Sequence, residues 1–476
     1  MKRTTKIIAA LALALLLIAR ASVSAATTHS VTINNSTTGH TYEAYQIFTG
    51  DLSTDKATLS NIQWGANISS TYSNGKNPTT IANYIEQLKA EDGTTARTAA
   101  EWAAVLENYL TGNPAGTAST PANGVYTISN LADGYYLIKD TDGSLTGVYD
   151  AYTEFILKLV GDATVDPKSG VPAAEKLIDE DTDVANSANY RAGDTVKFIL
   201  KGTMPSNYAS YSSYKYNFHD KLPAGLTLDA SSIKVYVGST EITSGFTINT
   251  SPSDNDSFDV VFANTKAITS ITAQSEIYVK YNTTVNGNAT VGGTGNGNEL
   301  KIEFSNNPND PTEVGGITPV KKASVFLYNI ILNKKDQDGN PLSGVTLKLE
   351  RLVGNDYQEV ATISNTTTFT FDHLGLGTYR LTEAVTPNGY NTIDPVTIVV
   401  TGSVDGSGFT ALSGTGLTFT ADLANGTLTA DVINVRGSNL PFTGGIGTTI
   451  FTVAGIGLVA GAIFILTRKN SDQGAK

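Results

Sequence analysis

The sequence predicts a mainly β protein made of tandem immunoglobulin-like β-sandwiches, with a first domain that is α+β and has two helices. Short segments of alternating apolar and polar residues recur along the chain with turn-forming residues between them, which is typical of sandwich strands. Gly accounts for 45 of the 476 residues, and tight turns often require Gly. A chain of this length implies several domains.

The first unit covers residues 27–165 and combines strands with two helical stretches. Strand-like segments lie at 30–34, 42–48, 124–129, 134–139 and 154–159. In the first helical stretch Pro78 stands at a helix start, and four apolar residues follow at helical spacing: Ile81, Tyr84, Ile85 and Leu88. In the second stretch the same spacing relates Ala99, Trp102, Ala103, Leu106 and Leu110. These residues predict a core, and no cofactor motif accompanies them.

A Pro- and Gly-containing linker at 166–172 separates this unit from a second unit at 173–320. The second unit has strand-like segments at 195–200, 234–237, 257–262, 276–281 and 300–304. A third unit at 321–436 has them at 327–332, 345–349, 368–371, 379–383, 396–400 and 427–435. Both units are predicted to be β-sandwiches.

Both ends of the sequence carry processing signals. At residues 1–26, three cations precede an apolar stretch and small residues, which predicts a secretory signal peptide cleaved after Ala25 or Ala26. At the other end, residues 446–467 carry no charge and are long enough to cross a bilayer as one transmembrane helix. Arg468 and Lys469 follow as a basic stop.

Directly before this helix stand Leu440, Pro441, Phe442, Thr443 and Gly444, in the form L-P-x-T-G. With the apolar segment and the basic stop behind it, the motif resembles the sorting signal of Gram-positive surface proteins. The resemblance implies that a sortase cleaves between Thr443 and Gly444 and passes the Thr443 carbonyl to an amine. The alternative is a plain C-terminal membrane anchor.

The composition limits the classes of partner and of covalent staple. With 44 Asp and Glu against 32 Lys and Arg, the chain has a net charge of −12, which argues against nucleic acid or an anionic membrane as partner. It has no Cys, so any covalent staple in a secreted protein of this sequence must use other side chains. His29, His40, His219 and His373 show no metal-ligand spacing. Residues 336–340 resemble the start of a calcium loop, but Pro341 stands where that loop needs Gly, so no metal or other cofactor is expected.

Three polar residues of the third unit are predicted to face one apolar interior. Alternation places Lys334, Glu383 and Asn434 each on the apolar face of its strand. An amine, a carboxyl and an amide buried in one core are costly unless they interact.

The segments around these residues carry a family resemblance. N-K-K-D at 333–336 with P-L-S-G at 341–344 resembles the opening of collagen-adhesin B-type domains, 379–390 looks like their E-box, and 432–434 resembles their final strand. The resemblance implies an intramolecular isopeptide bond between Lys334 and Asn434, with Glu383 as catalyst. Burial favours a neutral amine and a protonated carboxyl. The amine can then attack the Asn amide, while the carboxyl hydrogen-bonds the amide oxygen and helps ammonia leave.

The second unit also resembles a domain that forms a Lys–Asn isopeptide bond, with other residues in the three roles. E-K-L-I at 175–178, the segment 217–226 and I-E-F-S-N-N-P at 302–308 resemble the fimbrial isopeptide domain, a collagen-adhesin A-type sandwich. The resemblance implies a bond between Lys176 and Asn306 with Asp220 as the acid. Alternation along the last segment favours Asn306 over Asn307. The alternative for Asp220 is a turn residue.

The first unit lacks such a set. No Lys occurs between residues 26 and 51, and the segment 134–140 resembles an E-box without its Glu. No isopeptide bond is therefore predicted there.

The linker contains the lysine that is the candidate for a covalent bond between subunits. V-D-P-K at 165–168 resembles the pilin motif V-Y-P-K, with Asp166 in place of Tyr. In that motif the Lys accepts the Thr carbonyl of the next subunit, which implies Lys168 as the acceptor for Thr443. The alternative is a solvated linker lysine.

As a whole the chain resembles a sortase-assembled backbone pilin of a Gram-positive bacterium. The resemblance implies a secreted, wall-attached pilus subunit whose partners are sortase, identical subunits, ancillary pilins and, for the basal copy, peptidoglycan. It implies no enzyme beyond the self-directed, single-turnover isopeptide reaction, and the sequence identifies no host receptor. The alternatives are a single-copy wall-anchored adhesin and an ancillary pilin.

Overall fold

The structure is a computed structural model that describes residues 27–54, 57–167, 170–180, 183–308, 315–437, 452 and 454–462. The described residues form two compact units. The first comprises the chain up to Thr290 with Thr294–Phe326, and the second comprises Val291–Gly293 with the chain from Leu327 onward. From here on, the first and second units are these two. The first includes the predicted units at 27–165 and 173–320, and the second corresponds to most of the predicted third unit at 321–436. Both consist mainly of strands, which confirms the predicted fold class. The predicted signal peptide at 1–26 lies outside the described residues.

The first unit begins with an α+β part. Its elements are β1 (His29–Asn34), β2 (Tyr42–Leu52), β3 (Leu59–Trp64), α1 (Ser70–Ser73), α2 (Pro78–Glu86), α3 (Ala99–Glu107), β4 (Gly116–Ala118), β5 (Val125–Leu131), β6 (Gly134–Asp140), β7 (Glu154–Leu159) and β8 (Ala163–Val165). One sheet has the order β3-β2-β6-β7, with β4 paired to β2, and the other has the order β5-β1-β8. The longer helices pack Ile81, Trp102 and Leu106 into a core with Phe48 and Leu137.

Local signals explain where the two predicted helices begin. The Asn77 side chain caps α2 by accepting a hydrogen bond from the backbone N–H of Thr80. Thr98 and Glu101 form a capping box at the start of α3. Helix α2 ends before Leu88, which the apolar spacing had included, because Leu88 has a φ of +53° that a helix cannot contain.

The rest of the first unit is a β-sandwich. Its strands are β9 (Ala173–Asp179), β10 (Val184–Ala185), β11 (Ser187–Asn189), β12 (Thr195–Thr203), β13 (Tyr216–Lys221), β14 (Leu226–Val237), β15 (Thr240–Ile242), β16 (Thr247–Asn249), β17 (Phe258–Phe262), β18 (Glu276–Val285), β19 (Asn296–Phe304), β20 (Gly316–Ile317) and β21 (Lys321–Phe326), and short 3-10 helices lie at Tyr208–Ser210 and Thr265–Ala267. One sheet runs β10-β9-β12-β18-β14-β15 and the other β11-β21-β19-β13-β17-β16, with β20 on β19. Strand β21, which the sequence analysis counted with the third unit, lies here because it pairs with β19.

The second unit also contains two sheets. Its strands are β22 (Tyr328–Asp336), β23 (Thr346–Val353), β24 (Asp356–Ser364), β25 (Thr368–Leu374), β26 (Gly377–Val385), β27 (Val396–Asp405), β28 (Gly408–Gly414), β29 (Thr420–Asp422) and β30 (Thr427–Asn434). The sheet orders are β25-β22-β30-β29 and β24-β23-β26-β27-β28. Strands β22 and β30 are parallel, so the first and last strands of the unit end at the same edge, with Asp336 opposite Asn434.

The α+β part has a charged cluster inside its core. His40 is fully buried, and its Nδ1 lies 2.8 Å from Asp140 Oδ1 and its Nε2 3.1 Å from Asp150 Oδ2. The ring of Tyr42 stacks on the imidazole with a centroid distance of 5.0 Å. Burial alone would lower the pKa of His40, but hydrogen bonds and charge from the two carboxylates outweigh it and raise the pKa to about 9. The imidazole is therefore a buried cation at neutral pH.

This cluster predicts that the α+β part loses stability in alkali. A histidine whose pKa is higher in the folded state than in the unfolded chain, where it is about 6.5, stabilises the fold fully below that pH. The stabilisation should fall as the pH rises through about 9. The chain has only two Trp residues, Trp64 and Trp102, and both lie in this part, so denaturation followed by Trp fluorescence reports on it selectively.

We expect the denaturation midpoint to decrease between pH 7 and pH 10. His40→Gln should weaken this pH dependence, and at pH 7 it should cost roughly 3–5 kcal/mol, because it leaves two buried carboxylates without their cation. His29→Gln, at the half-buried His29–Asp133 pair, is the matched control and should retain the wild-type pH dependence. A wild-type midpoint that stays constant up to pH 10 would contradict the assignment.

Candidate isopeptide-bond sites

The second unit brings Lys334, Glu383 and Asn434 together, as the sequence analysis expected. The Lys334 ammonium donates to the backbone oxygen of Val432 at 2.9 Å and to Asn434 Oδ1. Asn434 Nδ2 donates to both carboxylate oxygens of Glu383, at 2.8 and 3.1 Å. All three side chains are buried, with no residue more than 5% exposed. The amine, the amide and the carboxyl therefore form one continuous chain of contacts.

The parallel pairing of β22 with β30 explains this geometry. Lys334 lies opposite Val432, so its long side chain only has to reach two residues further along the neighbouring strand to meet Asn434. Strand β26 supplies Glu383 from the other sheet. Burial lowers the pKa of Lys334, and the charge of Glu383 opposes this only in part. The environment therefore favours the neutral, nucleophilic amine.

The carboxyl of Glu383 lies at a different atom of the amide than the sequence analysis expected. It was expected at the amide oxygen, but it faces Nδ2, the nitrogen that would leave as ammonia. Its Oε2 also accepts from the backbone N–H of Ile393 at 2.9 Å, which fixes its orientation. In this position Glu383 is suited to carry a proton to the leaving nitrogen.

The sandwich of the first unit has a second set of groups around Lys176 and Asp220. The Lys176 ammonium donates to Asp220 Oδ2 and, at 3.2 Å, to the hydroxyl of Tyr281. That hydroxyl donates to Asp220 Oδ2 at 2.9 Å and accepts from Asn298 Nδ2 at 2.6 Å. One tyrosine hydroxyl therefore joins the amine, the carboxyl and an amide in the interior between the two sheets.

The electrostatics of this set favour neutral reactants. Burial lowers the pKa of Lys176 to about 8, although the charge of Asp220 opposes the shift. Burial also raises the pKa of Asp220, against the charge of Lys176. Asp220 Oδ1 and Asn298 Oδ1 are both buried without a hydrogen-bond partner. A protonated Asp220 avoids the cost of a charged carboxylate oxygen that has no partner in the core.

Asn306, the predicted partner of Lys176, does not belong to this set. Asp220 pairs with Leu300, and Asn306 lies six residues further along the chain, about 20 Å away at the rise of a strand. Asn306 Nδ2 instead donates to the backbone oxygens of Leu145 and Asp150, at 3.2 and 3.3 Å. Asn306 therefore ties the end of β19 to a loop of the α+β part. Asn307 is one residue further from Leu300 along the chain.

Asn298 is the residue that the sequence analysis missed. The alternation of buried and exposed residues that favours Asn306 over Asn307 also includes Asn298. Asn298 lies on the same face of β19 and is fully buried. Alternation identifies the face of a strand but not the position along it. The position along β19 follows from its pairing with β13, which sets Leu300 opposite Asp220 and which the sequence pattern does not contain.

The intermolecular candidates lie outside the described residues: Lys168, the motif from Leu440 to Gly444 with Thr443, and most of the predicted helix at 446–467. The linker is held on both sides of Lys168. Asn34 Nδ2 donates to Asp166 Oδ1 at 2.8 Å, and the Tyr149 hydroxyl donates to the backbone oxygen of Pro172 at 2.8 Å. Within the described part of the chain, no helix has the length and hydropathy needed to cross a membrane.

Comparisons with known proteins relate this fold to pilins. Residues 328–415 match the family described as SpaA, a prealbumin-like fold domain. The structure is similar to the T6 backbone pilin of serotype M6 Streptococcus pyogenes, with a TM-score of 0.55 and 18% identity over 88% of this chain and 100% of that chain. It is also similar to the full-length major pilin SpaD from Corynebacterium diphtheriae, with a TM-score of 0.51 and 16% identity over 86% of this chain and 98% of that chain. No curated protein matches the sequence. The chain therefore has the fold of Gram-positive backbone pilins and carries a prealbumin-like SpaA domain.

Proposed function

We propose that this chain is the major structural subunit of a covalently polymerised cell-surface pilus, stabilised by intramolecular Lys–Asn isopeptide bonds. The observation that carries the proposal is the buried contact of Lys334, Asn434 and Glu383. A buried amine against an amide and a carboxyl is costly in an ordinary core and useful when the three react. The fold of backbone pilins and the sorting motif support the same function.

Each internal bond forms when the lysine nitrogen replaces the side-chain nitrogen of the Asn amide. The neutral Lys Nζ attacks the Asn amide carbon, a bond forms between Nζ and that carbon, and the bond from the carbon to Nδ2 breaks. The nitrogen leaves as ammonia after it gains the proton that the lysine loses, with the carboxyl as carrier. In the second unit the carrier is Glu383, and in the first unit it is Asp220, with Lys176 and Asn298 as reactants. The reaction needs no cofactor.

Polymerisation would use the other two candidates. A sortase cleaves after Thr443, releases the segment from Gly444 onward and transfers the Thr443 carbonyl to the Lys168 amine of another subunit. Identical subunits would repeat this bond along the fibre, ancillary pilins would join it, and peptidoglycan would receive the basal copy.

The positions of the bonds define a mechanical role. Lys176 lies eight residues after Lys168, and Asn434 lies nine residues before Thr443. Tension that enters at Lys168 would cross from Lys176 to Asn298, continue along the chain to Lys334, and cross to Asn434. The bridges would therefore carry the load past most of both sandwiches, and the α+β part would lie off this line.

Replacement of Lys168 tests the polymerisation directly. In wall extracts of a strain that has this chain as its only pilin, immunoblotting should detect a ladder of high-mass species. Lys168→Arg should remove the ladder and leave single subunits, because arginine keeps the charge but is not a nucleophile at neutral pH. Lys221→Arg, an exposed lysine of the same unit, is the control and should retain the ladder.

The same blot separates the alternatives. A single-copy wall-anchored adhesin would give no ladder in the wild type, although it would still be attached to the wall. An ancillary pilin would give none when it is the only pilin present. A ladder that persists in Lys168→Arg would show that another lysine is the acceptor.

A further inference from the structure

A second cluster of charged residues lies on the outward side of the strand that carries Asp220. His219 points away from the sandwich interior, and its direct neighbours across the sheet are Asp259 on β17 and Lys301 on β19. The loop between β16 and β17 adds Asp254 and Asp256. His219 Nδ1 lies 2.9 Å from Asp259 Oδ1, 3.5 Å from Asp256 Oδ2 and 3.8 Å from Asp254 Oδ2. Two strands and a loop therefore supply one imidazole nitrogen and three carboxylates, and Lys301 on a third strand lies beside them.

The ligand atoms are close enough to share one ion. One potential ligand atom each from His219, Asp254 and Asp256 lies within 4.8 Å of the other two. Two ligands at about 2.0–2.2 Å from one ion lie at most about 4.4 Å apart. The distances from His219 Nδ1 to Asp256 Oδ2 and to Asp254 Oδ2, 3.5 and 3.8 Å, are within this limit. The linear spacing of these residues had given no metal signal, because the strand and the loop are brought together only by the fold.

Asp256 is the observation that distinguishes this cluster from an ordinary acidic surface. Its side chain is only 6% exposed, and its Oδ2 accepts no hydrogen bond. The Lys301 ammonium lies 3.2 Å from this oxygen but is not aligned to donate to it. The ion pair with Lys301 therefore leaves this buried oxygen without a hydrogen bond, and a metal ion at the centre of the cluster would coordinate it directly.

The other nitrogen of the imidazole is also suitably placed. His219 Nε2 faces Glu303 Oε2 at 3.8 Å. Glu303 is itself held by Asn217 Nδ2 at 2.8 Å and by the Lys215 ammonium at 2.9 Å. At 3.8 Å this is a charge contact and not a hydrogen bond, but the negative charge of Glu303 still favours a proton on Nε2 and leaves Nδ1 as the nitrogen that can bind a metal.

We propose that His219 Nδ1, Asp254 and Asp256 bind a divalent transition-metal ion, which replaces the proton that Nδ1 donates to Asp259 and releases it to solvent. The Asp259 carboxylate then lies beside the ion as a further oxygen ligand. An imidazole with carboxylates suits Zn²⁺ or Mn²⁺, whereas Ca²⁺ and Mg²⁺ prefer oxygen ligands alone. The bound ion clamps the loop between β16 and β17 onto β13. This loop already contacts β13 through Ser257, whose backbone N–H donates to the backbone oxygen of Asp220 at 2.6 Å.

Lys301 allows a variant that should increase the metal affinity instead of reducing it. Its ammonium lies 3.2 Å from Asp256 and 3.9 Å from Asp254, so it competes with an incoming ion for the same oxygens. Lys301→Met keeps the length of the side chain and removes the charge. It should therefore tighten metal binding, whereas loss of a carboxylate should weaken it.

The experiment is titration calorimetry of the purified, chelator-treated protein with Zn²⁺, Mn²⁺ and Ca²⁺. We expect one saturable site for Zn²⁺ or Mn²⁺ that binds more tightly than Ca²⁺, an affinity reduced at least tenfold in Asp254→Asn and Asp256→Asn, and an increased affinity in Lys301→Met. The Asp254 side chain is 44% exposed, so its variant remains informative if Asp256→Asn fails to fold. Asp356→Asn, at the exposed start of β24, is the control and should bind as the wild type does.

Several results would overturn the proposal. They are the absence of saturable binding, affinities that Asp254→Asn and Asp256→Asn leave unchanged, a preference for Ca²⁺, and weaker binding in Lys301→Met. Unchanged affinity in the Asp variants would mean adventitious binding at another histidine.

Discussion

Glu383→Gln should retain one ammonia that the wild-type protein loses. The intact mass of the wild type should be lower than its sequence mass by two molecules of ammonia, and that of the variant by only one. Gln has the shape of Glu and can still accept a hydrogen bond from the Ile393 N–H, so the pocket remains filled. It cannot carry a proton to Asn434 Nδ2, because an amide does not titrate in this range. The bond between Lys334 and Asn434 should therefore not form.

The same variant should lose much of the stability of the second unit. The bond joins residues 100 positions apart in the sequence. By analogy with a disulfide that closes a loop of this size, the cross-link contributes about 5 kcal/mol through the unfolded chain. For a unit of this size, that corresponds to a fall in melting temperature on the order of 20 °C. Calorimetry of the wild type and the variant would measure the difference.

Glu359→Gln is the matched control for Glu383→Gln. Glu359 lies at an exposed position of β24 in the same unit, so its replacement should leave both ammonia losses and the melting temperature unchanged. Two ammonia losses in Glu383→Gln would show that the carboxyl is not required. No loss in the wild type would remove the isopeptide bonds from the proposed function altogether.

The reacting residues of the second unit could be predicted because each was identified from the alternation within its own strand. Alternation within each strand put Lys334, Glu383 and Asn434 on buried faces, and each residue lies near the end of its strand. Parallel pairing of the first and last strands then brings two of these ends together. What alternation could not predict was which atom of the amide the carboxyl faces. That depends on the Ile393 N–H, a backbone group in the turn after β26.

The set in the first unit could be predicted only in part. Lys176 and Asp220 meet as expected, but their amide partner depends on the register between β13 and β19, which pairs residues about 80 positions apart. Asn298 and Asn306 share a face, and no local pattern distinguishes them. Two other sets could not be predicted for the same reason. They are the buried cluster of His40, Asp140 and Asp150 and the candidate metal ligands around His219. Their members are polar residues that only long-range strand pairing brings together.

Asn298→Ala should retain one ammonia, and Asn306→Ala should still lose both. In the structure the amide of Asn298 meets the Tyr281 hydroxyl that also contacts Lys176 and Asp220. The amide of Asn306 is held by backbone oxygens of the loop that contains Leu145. Removal of Asn298 therefore removes the carbon that Lys176 would attack. Removal of Asn306 removes only hydrogen bonds and should cost about 1–3 kcal/mol.

Peptide mapping would identify the bond directly. Digestion of the wild type should yield a branched peptide in which Lys176 is joined to Asn298, and this peptide should be missing from Asn298→Ala and from Asp220→Asn. Asp220→Asn keeps the size of the side chain but removes the acid, so it distinguishes a catalytic carboxyl from a turn residue. A branched peptide with Asn306 or Asn307 would refute the assignment to Asn298. The bond would then require a rearrangement of β19 by several residues, against the register that its pairing with β13 and β21 fixes.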